Sequence, residues 1–412
     1  MHKNAHTSHQ ILKRWLLVAA TLSLVILPAC TSIGLLPSEE PAAIKFLYAG
    51  GGPAYYETLL EEFNKDYPHI TVEITPWRGF SQTGLEQYDV FAISEYQFPF
   101  MQQQDAIRDL NALIEQDVDF DLNDFYPSAV NAFSIEGRRW AIPVGINPLM
   151  MCYNKDLFDH VNASYPEIGW MWSDFQDRAI SVNNPDAGIY GYAYYMTGMM
   201  SYLEPMAFIY QHGGQLFDNL QAPTQMILNA PLNVEALDWY GRLIYEYHVS
   251  PAPGERSMPY PITGIENGKY AMWMCWYADE RQPHWGVAPL PRDVNGSTMG
   301  SAMGLVIAKE TLNPQASWQW ATFLSEQLSQ NMMPARRSLA ESTAYSNLVG
   351  GDNAVAGRAA IDELLQLNLN LQWQQGMTWG NAMSAFNSAL TTIRGGEDAQ
   401  TALDAAQKQS GF

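Results

Sequence analysis

Short apolar runs alternate with longer amphipathic ones from residue 44 onward, and this alternation constrains the fold more than any other feature. "IKFLYA" (44–49) reads as a short strand that runs into Gly50-Gly51-Gly52. Tyr56, Leu59, Leu60 and Phe63 then recur on one face at helical spacing. In "HITVEITPW" Ile70, Val72 and Ile74 alternate as in a half-buried strand, and "YDVFAIS" (88–94) reads as a more fully buried one. Strands alternating with helices imply an α/β fold with a parallel sheet. Ligands of such sheets sit beyond the carboxyl ends of the strands. Those ends fall at residues 50–55, at Trp77 and at residues 94–96. The glycine triplet lacks the Lys-Ser/Thr of a phosphate loop, which argues against a nucleotide. It is either a tight turn alone or a turn whose backbone N–H groups, such as that of Gly51, meet a ligand.

The amino-terminal region has a different character. Lys13 and Arg14 precede "WLLVAATLSLVILPA" (15–29), and no acidic residue occurs among the first 30. The apolar run is shorter than the roughly 20 residues of a bilayer span, and its basic start matches a secretory signal. Leu27-Pro28-Ala29-Cys30 resembles the bacterial lipobox, whose cysteine is lipidated and becomes the mature amino terminus. Residues 1–29 are therefore expected to be a lipoprotein signal peptide and residues 30–42 a tether, with Cys30 holding the chain outside the cytoplasm on the cell membrane, at its periplasmic face or outer surface. Loss of Lys3, Lys13 and Arg14 takes the net charge from −21 to −24. Such a surface repels nucleic acid and anionic headgroups, and it disfavours anionic ligands.

Aromatic residues make up 12% of the chain, with 13 Trp, 22 Tyr and 16 Phe. A large core accounts for most of them, yet sugar sites also use such rings, because a sugar's C–H face packs on an aromatic face while its hydroxyls take hydrogen bonds. Cys152 and Cys275 each lie in an apolar, strand-like run. They are read as two buried free thiols, a single disulfide being the alternative in an oxidising compartment. His69, His160, His212, His248 and His284 are scattered, with no metal-ligand spacing, so neither a metal nor a cofactor is expected.

The most informative stretch is "GRRWAIPVGINPLMMCYNKDLFD" (137–159). Its W-A-I-P, followed by Y-N-K-D-L-F, resembles the carbohydrate-binding extracellular solute-binding proteins of ABC transporters, the family related to maltose-binding protein. "WMWSDFQDRAI" (170–180), "ENGKYAMWMCW" (266–276), "HWGVAPLPR" (284–292), "AMGLVIAKETLNPQASWQWATFLSE" (302–326) and "GGEDAQTALDAAQKQ" (395–409) resemble further family segments in the family's order. Ser173 with Gln176 reads as a capping box, and Asn313-Pro314 as an N-cap followed by N1 proline. The resemblance implies a two-lobe periplasmic-binding-protein-like fold, each lobe a mostly parallel sheet flanked by helices, with a ligand cleft between them. Residues 41–147 and 302–340 would form the first lobe, and residues 148–300 and 345–412 the second. It also implies a monomer that captures a neutral sugar, oligosaccharide or polyol and delivers it to ABC permease subunits.

The same resemblance points to ligand contacts. Trp276 and Tyr277 come where the chain leaves a strand, in a loop where relatives place a sugar-stacking ring. Tyr194 and Tyr195 end another strand, and one of them is expected to face the cleft. Trp379 and Trp77 are further aromatic positions, and Gly51 a backbone one. Asn147 aligns with a polar contact at the crossing between lobes, with Glu95 and Arg336 as weaker polar positions. Trp170 and Trp172 are read as packing. For the hinge, Pro148 restricts Asn147 and leaves bending to neighbours such as Gly145, while Gly300 and Gly304 supply freedom at the second crossing. Two rival classes stand beside this one. A lipid-anchored glycoside hydrolase would need two carboxylates flanking one bond, with Glu95, Glu204 and Asp279 conceivable members. A carbohydrate-binding adhesin would need no transporter.

Overall fold

The computed structural model describes residues 40–48, 52–76, 85–219, 225–254, 261–279, 282–364 and 376–410, with the side chains of Glu86 and of residues 376–379 outside that description. Its strands are β1 (Ala42–Tyr48), β2 (Ile70–Pro76), β3 (Val90–Ser94), the hairpin β4 (Ser134–Ile135) and β5 (Arg138–Arg139), β6 (Ile142–Asn154), β7 (Tyr190–Ala193), β8 (Tyr270–Trp276), β9 (Trp285–Ala288), β10 (Gly300–Ile307) and β11 (Met333–Pro334). The main order is β2-β1-β3-β10-β6-β8-β7, with β9 and β11 also paired to β6.

One 13-residue strand links the two halves. Residues 142–148 of β6 pair with β10 and β11, whereas residues 149–154 pair with β8 and β9. The result is two α/β lobes sharing one strand. The sheets are more mixed than the sequence expectation of mostly parallel ones. The pairs β1–β2, β1–β3 and β7–β8 are parallel, but β10 runs antiparallel to both β3 and β6, and β6 antiparallel to β8 and β9. The cause is topological. β6 and β10 both cross between lobes in opposite directions, so they pair antiparallel, and strand–helix alternation registers only the βαβ part.

Alternation along the strands divides the core. In β6, Leu149, Met151 and Tyr153 face a cluster built with the helices Trp172–Val182, Met200–Gln211, Pro231–Tyr245 and Gly376–Arg394. Met150 and Cys152 face a second cluster, which continues through Tyr345, Ala354 and Ile361 into the core of the first lobe. Trp170 and Trp172 are buried, the latter stacked on Trp239 at 3.9 Å. Much of the aromatic content is therefore packing.

Cys152 and Cys275 form a disulfide with Cα atoms 5.9 Å apart, which corrects the reading of two free thiols. Cys152 pairs with Trp273 and Cys275 with Met150 on adjacent antiparallel strands. Period-two alternation then puts both sulfurs on one face, but only the register, which is non-local, brings them together.

Several local expectations resolve in detail. The helix Trp172–Val182 has Met171 as its N-cap rather than Ser173; Met171 N–H donates to Asp174 Oδ2 at 2.8 Å. Asn313 does cap the helix Pro314–Ser325, with Pro314 at N1, but its side chain donates to the Ala43 carbonyl instead of capping. The crossing glycines are closely packed. A Cβ on Gly300 would lie 2.6 Å from Leu364 Cδ1, one on Gly304 would lie 2.8 Å from Ala141 Cβ, and one on Gly145 would lie 2.9 Å from Met332 Cβ. None of the three has a positive φ. Close approach of neighbouring side chains is a second reason for glycine there, beside backbone freedom.

Candidate functional site

The carboxyl ends of strands from both lobes converge on the place where β6 and β10 cross. On the first-lobe side β3 ends at Ser94, opposite Met303. Gln97 Oε1 accepts from Ser94 N–H and Oγ–H at 3.0 and 3.2 Å, which closes a tight turn. That turn presents Glu95 to β10. Glu95 N–H donates to the Ala302 carbonyl at 3.1 Å, and Ala302 N–H donates to Glu95 Oε2 at 2.6 Å. The side chain is 9% exposed, and burial pushes its carboxyl up to about 8 despite those hydrogen bonds. Oε1 and the Tyr96 hydroxyl are both buried, and the Tyr96 hydroxyl beside the carboxyl partly offsets that upward shift. Burial, the Glu95 carboxylate and Tyr202 all push the Tyr96 phenol up. Tyr202 belongs to the second-lobe helix Met200–Gln211, so the two lobes are electrostatic neighbours here.

On the second-lobe side, β7 and β8 run parallel and end together. Trp276, the last residue of β8, is half-buried against the second-lobe core and pairs with Leu149 of β6. Its N–H donates to Asp279 Oδ2 at 2.9 Å and its carbonyl accepts from Asp279 N–H at 3.0 Å, which fixes the exit from the sheet. Asn147 Oδ1 accepts from Ala278 N–H at 2.8 Å, so its amide steadies this loop and keeps its Nδ2 donors and a second acceptor lone pair for other work. Tyr195 is half-buried; its hydroxyl donates to the Met274 carbonyl at 3.1 Å, and its N–H to Glu204 Oε2 at 3.2 Å.

Beneath this loop lies a buried charged network. Glu204 Oε1 accepts from the Tyr240 hydroxyl at 2.7 Å, and Arg394 donates to that hydroxyl from Nε and Nη2 at 3.0 and 2.8 Å. The Arg394 guanidinium also lies 4.6 Å from the Tyr194 ring centroid. Burial pushes the Glu204 carboxyl up to about 7, while Arg394 and the Tyr240 and Tyr195 donors pull it down. The network holds the strand end from which Tyr195 projects.

Of the positions expected from sequence, Glu95, Asn147, Tyr195 and Trp276 come together at the crossing. Three others do not. Tyr277 is 1% exposed, and its hydroxyl accepts from the Tyr345 hydroxyl at 3.0 Å. The next residue in a strand points to the opposite face, so Trp276 and Tyr277 cannot both face the cleft. Tyr194 is likewise buried, its hydroxyl donating to the Pro251 carbonyl at 3.2 Å. Arg336 is buried over Phe125, with its guanidinium 4.4 Å from that ring centroid and bonded to Ser325 and Asp124, so it serves the first-lobe core. Gly51 and Trp77 lie outside the described residues, as does the side chain of Trp379. Sequence reasoning missed Tyr202, Tyr240 and Arg394 as neighbours of the site. Tyr96 carried a signal, since it stands at a strand's carboxyl end.

A crevice of about 660 Å³ lies between the segment following β8 and the helices Thr343–Val349 and Gly351–Asp362. Lys155, Ala278, Asp279 and Trp285 line it, and Tyr277 alone among the expected contacts does. No group of three or more His, Cys, Asp or Glu among the described residues could hold a metal ion.

The family model for bacterial extracellular solute-binding proteins matches residues 49–327. A mannitol-binding protein of Pseudomonas aeruginosa is 24% identical over 278 residues, which is 66% of this chain and 60% of that protein. The chain thus spans less than two thirds of that relative's length. Among solved structures, an ABC substrate-binding protein from Listeria monocytogenes in complex with cycloalternan aligns with TM-score 0.69 and 21% identity, over 90% of this chain and 98% of that one. The sugar-binding protein MalE from Xanthomonas citri aligns with TM-score 0.71 and 17% identity, over 89% and 96%. Those likenesses establish the two-lobe fold, and the family match covers most of the lobes described above; this chain belongs to the bacterial extracellular solute-binding proteins.

Proposed function

We propose that this protein captures a neutral carbohydrate or polyol between its lobes and delivers it to an ABC importer, held at the outer face of the membrane by lipid on Cys30. The observation that carries the reading is the meeting of Trp276, Tyr195, Asn147 and Glu95 where strand ends from both lobes converge. Half-buried rings beside amide and carboxyl groups suit a ligand with C–H faces and hydroxyls. The mannitol and cycloalternan bound by the relatives are of that chemical class. In this reading the lobes are residues 41–147 with 302–340, and residues 148–300 with 345–412. Closure bends the chain at the β6–β10 crossing and near residues 340–345, and the closed monomer is what the permease recognises.

Of the three conceivable members of a hydrolytic pair, Glu204 is removed by its environment. Glu204 is fully buried and bonded to Tyr240 and to the Tyr195 backbone, so it cannot flank a glycosidic bond. Titration calorimetry of the lipid-free chain against mannitol, maltose and a panel of neutral oligosaccharides tests the ligand class. Binding of sugar acids or peptides alone would reject it. Scattering curves that stay unchanged on tight binding would reject closure. For the anchor, labelled fatty acid should mark the wild type and leave Cys30→Ser unlabelled; equal labelling of both would remove it.

A further inference from the structure

A short turn at the edge of the crossing leaves two thioethers in water. Met196 is 46% exposed and Met199 37%, with Thr197 and Gly198 exposed between them. The segment joins two groups that border the cleft. Tyr195 precedes it, with its hydroxyl held by the Met274 carbonyl. Tyr202 follows in the first turn of the helix Met200–Gln211, and the first-lobe Tyr96 is its electrostatic neighbour. The turn is fixed by its own bonds. Gly198 has a φ of 76°, a left-handed conformation that glycine adopts without strain. Its carbonyl accepts from Ser201 N–H at 3.2 Å and from Ser201 Oγ–H at 2.7 Å. Met199 is the N-cap of the helix, and its carbonyl accepts from Leu203 N–H at 3.2 Å.

Other methionines of this lobe are hidden: Met151, Met206, Met272 and Met274 are fully buried. A further exposed one, Met171 at 39%, lies toward the other end of the helix, where its neighbour Trp172 stacks on His212 at 5.6 Å. A helix of that length spans about 18 Å. Apolar side chains held in water beside a binding face gain when a ligand or a closing lobe covers them, and an unbranched thioether adapts its shape to what covers it. The same exposure opens the sulfurs to oxidants.

We propose that Met196 and Met199 form an oxidation site that weakens ligand capture. The oxidant is a hydroperoxide, of which hydrogen peroxide is the simplest. The sulfur lone pair forms an S–O bond as the O–O bond breaks. Sulfur loses two electrons, the peroxide gains them, and proton transfer to the departing oxygen releases water. Each thioether becomes a sulfoxide, polar and hydrogen-bond accepting. Covered by a C–H face that offers no donor, a sulfoxide oxygen behaves as a buried unpaired polar group, which corresponds to about a tenfold loss of affinity. The affinity half of the proposal rests on the carbohydrate reading above, whereas the order of oxidation concerns the free protein alone.

Peptide mapping by mass spectrometry after graded hydrogen peroxide tests the order. Met196 and Met199 should each gain one oxygen before the buried methionines do, at a pace similar to that of Met171. Earlier oxidation of the buried methionines overturns the proposal, whatever the ligand proves to be. Saturating mannitol or maltose should slow oxidation at Met196 and Met199 and leave Met171 unaffected; bound sugar that protects neither overturns it. By calorimetry the peroxide-treated wild type should bind about tenfold more weakly, while Met196→Leu/Met199→Leu, which keeps Met171, should bind alike before and after treatment. Unchanged affinity in the treated wild type, or an equal loss in the variant, overturns the proposal. Failure of every carbohydrate probe to bind the untreated protein rejects the ligand reading instead, and the oxidation map still decides the order.

Discussion

Two glutamates are buried on opposite sides of the same crossing, and they are buried differently. Glu204 of the second lobe is completely enclosed, with Tyr240 and the Tyr195 backbone on its oxygens and Arg394 behind Tyr240. Glu95 of the first lobe has one oxygen on the Ala302 N–H, and the Tyr96 hydroxyl lies beside its carboxyl. Burial raises the pKa of both, so depth alone does not separate them. The nearby cation does. Arg394 compensates Glu204 through the Tyr240 hydroxyl, whereas the groups beside Glu95 are Tyr96 and the Ala302 backbone. A buried carboxyl in a network with a cation has more to lose when one member is removed.

The disulfide belongs to the second-lobe side and should give the largest effect. Cys152 and Cys275 are 123 residues apart in sequence and join β6 to β8 just below Trp276. Closing a loop of this size removes enough chain entropy from the unfolded state to stabilise by about 5 kcal/mol. Urea unfolding of the Cys152→Ala/Cys275→Ala chain should show a loss of that order. A loss under about 1 kcal/mol would mean that the second lobe does not depend on its covalent tie, and the contrast between the two sides would weaken.

Arg394→Met comes next. Removing the cation leaves Glu204 and Tyr240 buried with their compensation gone, and breaking such a buried group costs about 3–5 kcal/mol. Glu95→Gln, by comparison, replaces a neutral acid with a neutral amide and should stay within about 1 kcal/mol of the wild type at neutral pH. Chemical denaturation of the two variants side by side checks both. Similar losses in both would break the distinction drawn from the nearby cation.

This contrast also marks what could be read from sequence. The βαβ start was legible because Ile70, Val72 and Ile74 alternate and because Leu59 and Phe63 repeat at helical spacing; Ile70, Val72, Leu59 and Phe63 are buried and Ile74 half-buried, as that pattern requires. The family motifs carried the two-lobe architecture. Register was not legible. Cys152 and Cys275 each sit in an apolar run that says nothing about what lies opposite, and their pairing follows only once β6 and β8 align. Tyr277 illustrates the same limit on a smaller scale. Its neighbour Trp276 and it look equivalent as aromatics at a strand end, yet the pleat sends one to half-burial at the crossing and the other into contact with Tyr345. Arg394 was invisible for a further reason. Its partners Tyr240 and Glu204 lie over 150 residues away, in separation 154 for the Tyr240 contact, and no local pattern encodes such a meeting.

On the binding face, Trp276→Ala should weaken affinity for the carbohydrate without unfolding the chain. Losing a stacking ring at the centre of a site costs about 2 kcal/mol, or around thirtyfold in affinity. Tyr277→Phe removes only the hydroxyl that meets Tyr345 and should leave affinity unchanged. Calorimetry that finds the opposite order would return Tyr277 to the cleft and displace Trp276 from it.

The smallest effect lies at the far end of the helix Met200–Gln211, whose first turn carries Tyr202 toward the cleft. His212 caps its carboxyl end, with Nδ1 2.6 Å from Asp293 Oδ2 and Nε2 3.1 Å from Glu235 Oε2. Burial lowers its pKa, but the hydrogen bonds and charges of Asp293 and Glu235 outweigh it, so the net shift is upward from 6.5. The sign follows from linkage. A histidine bound more tightly to its proton when folded stabilises the chain fully below the unfolded pKa, and the gain disappears as pH rises through the higher folded one. The stabilisation should therefore be present at mildly acidic pH and gone at alkaline pH. Because the imidazole is partly exposed, with a side chain 22% accessible, solvent and salt screen it. Less than about 1 kcal/mol is expected. Thermal melts of ligand-free wild type and His212→Gln should differ by a degree or so in mild acid and converge above neutrality, with added salt shrinking the gap. Convergence in acid and divergence in alkali would show the wrong sign. A change in carbohydrate affinity in His212→Gln would mean instead that this helix transmits between its two ends, and that the second-lobe side of the crossing is less fixed than its network with Arg394 implies.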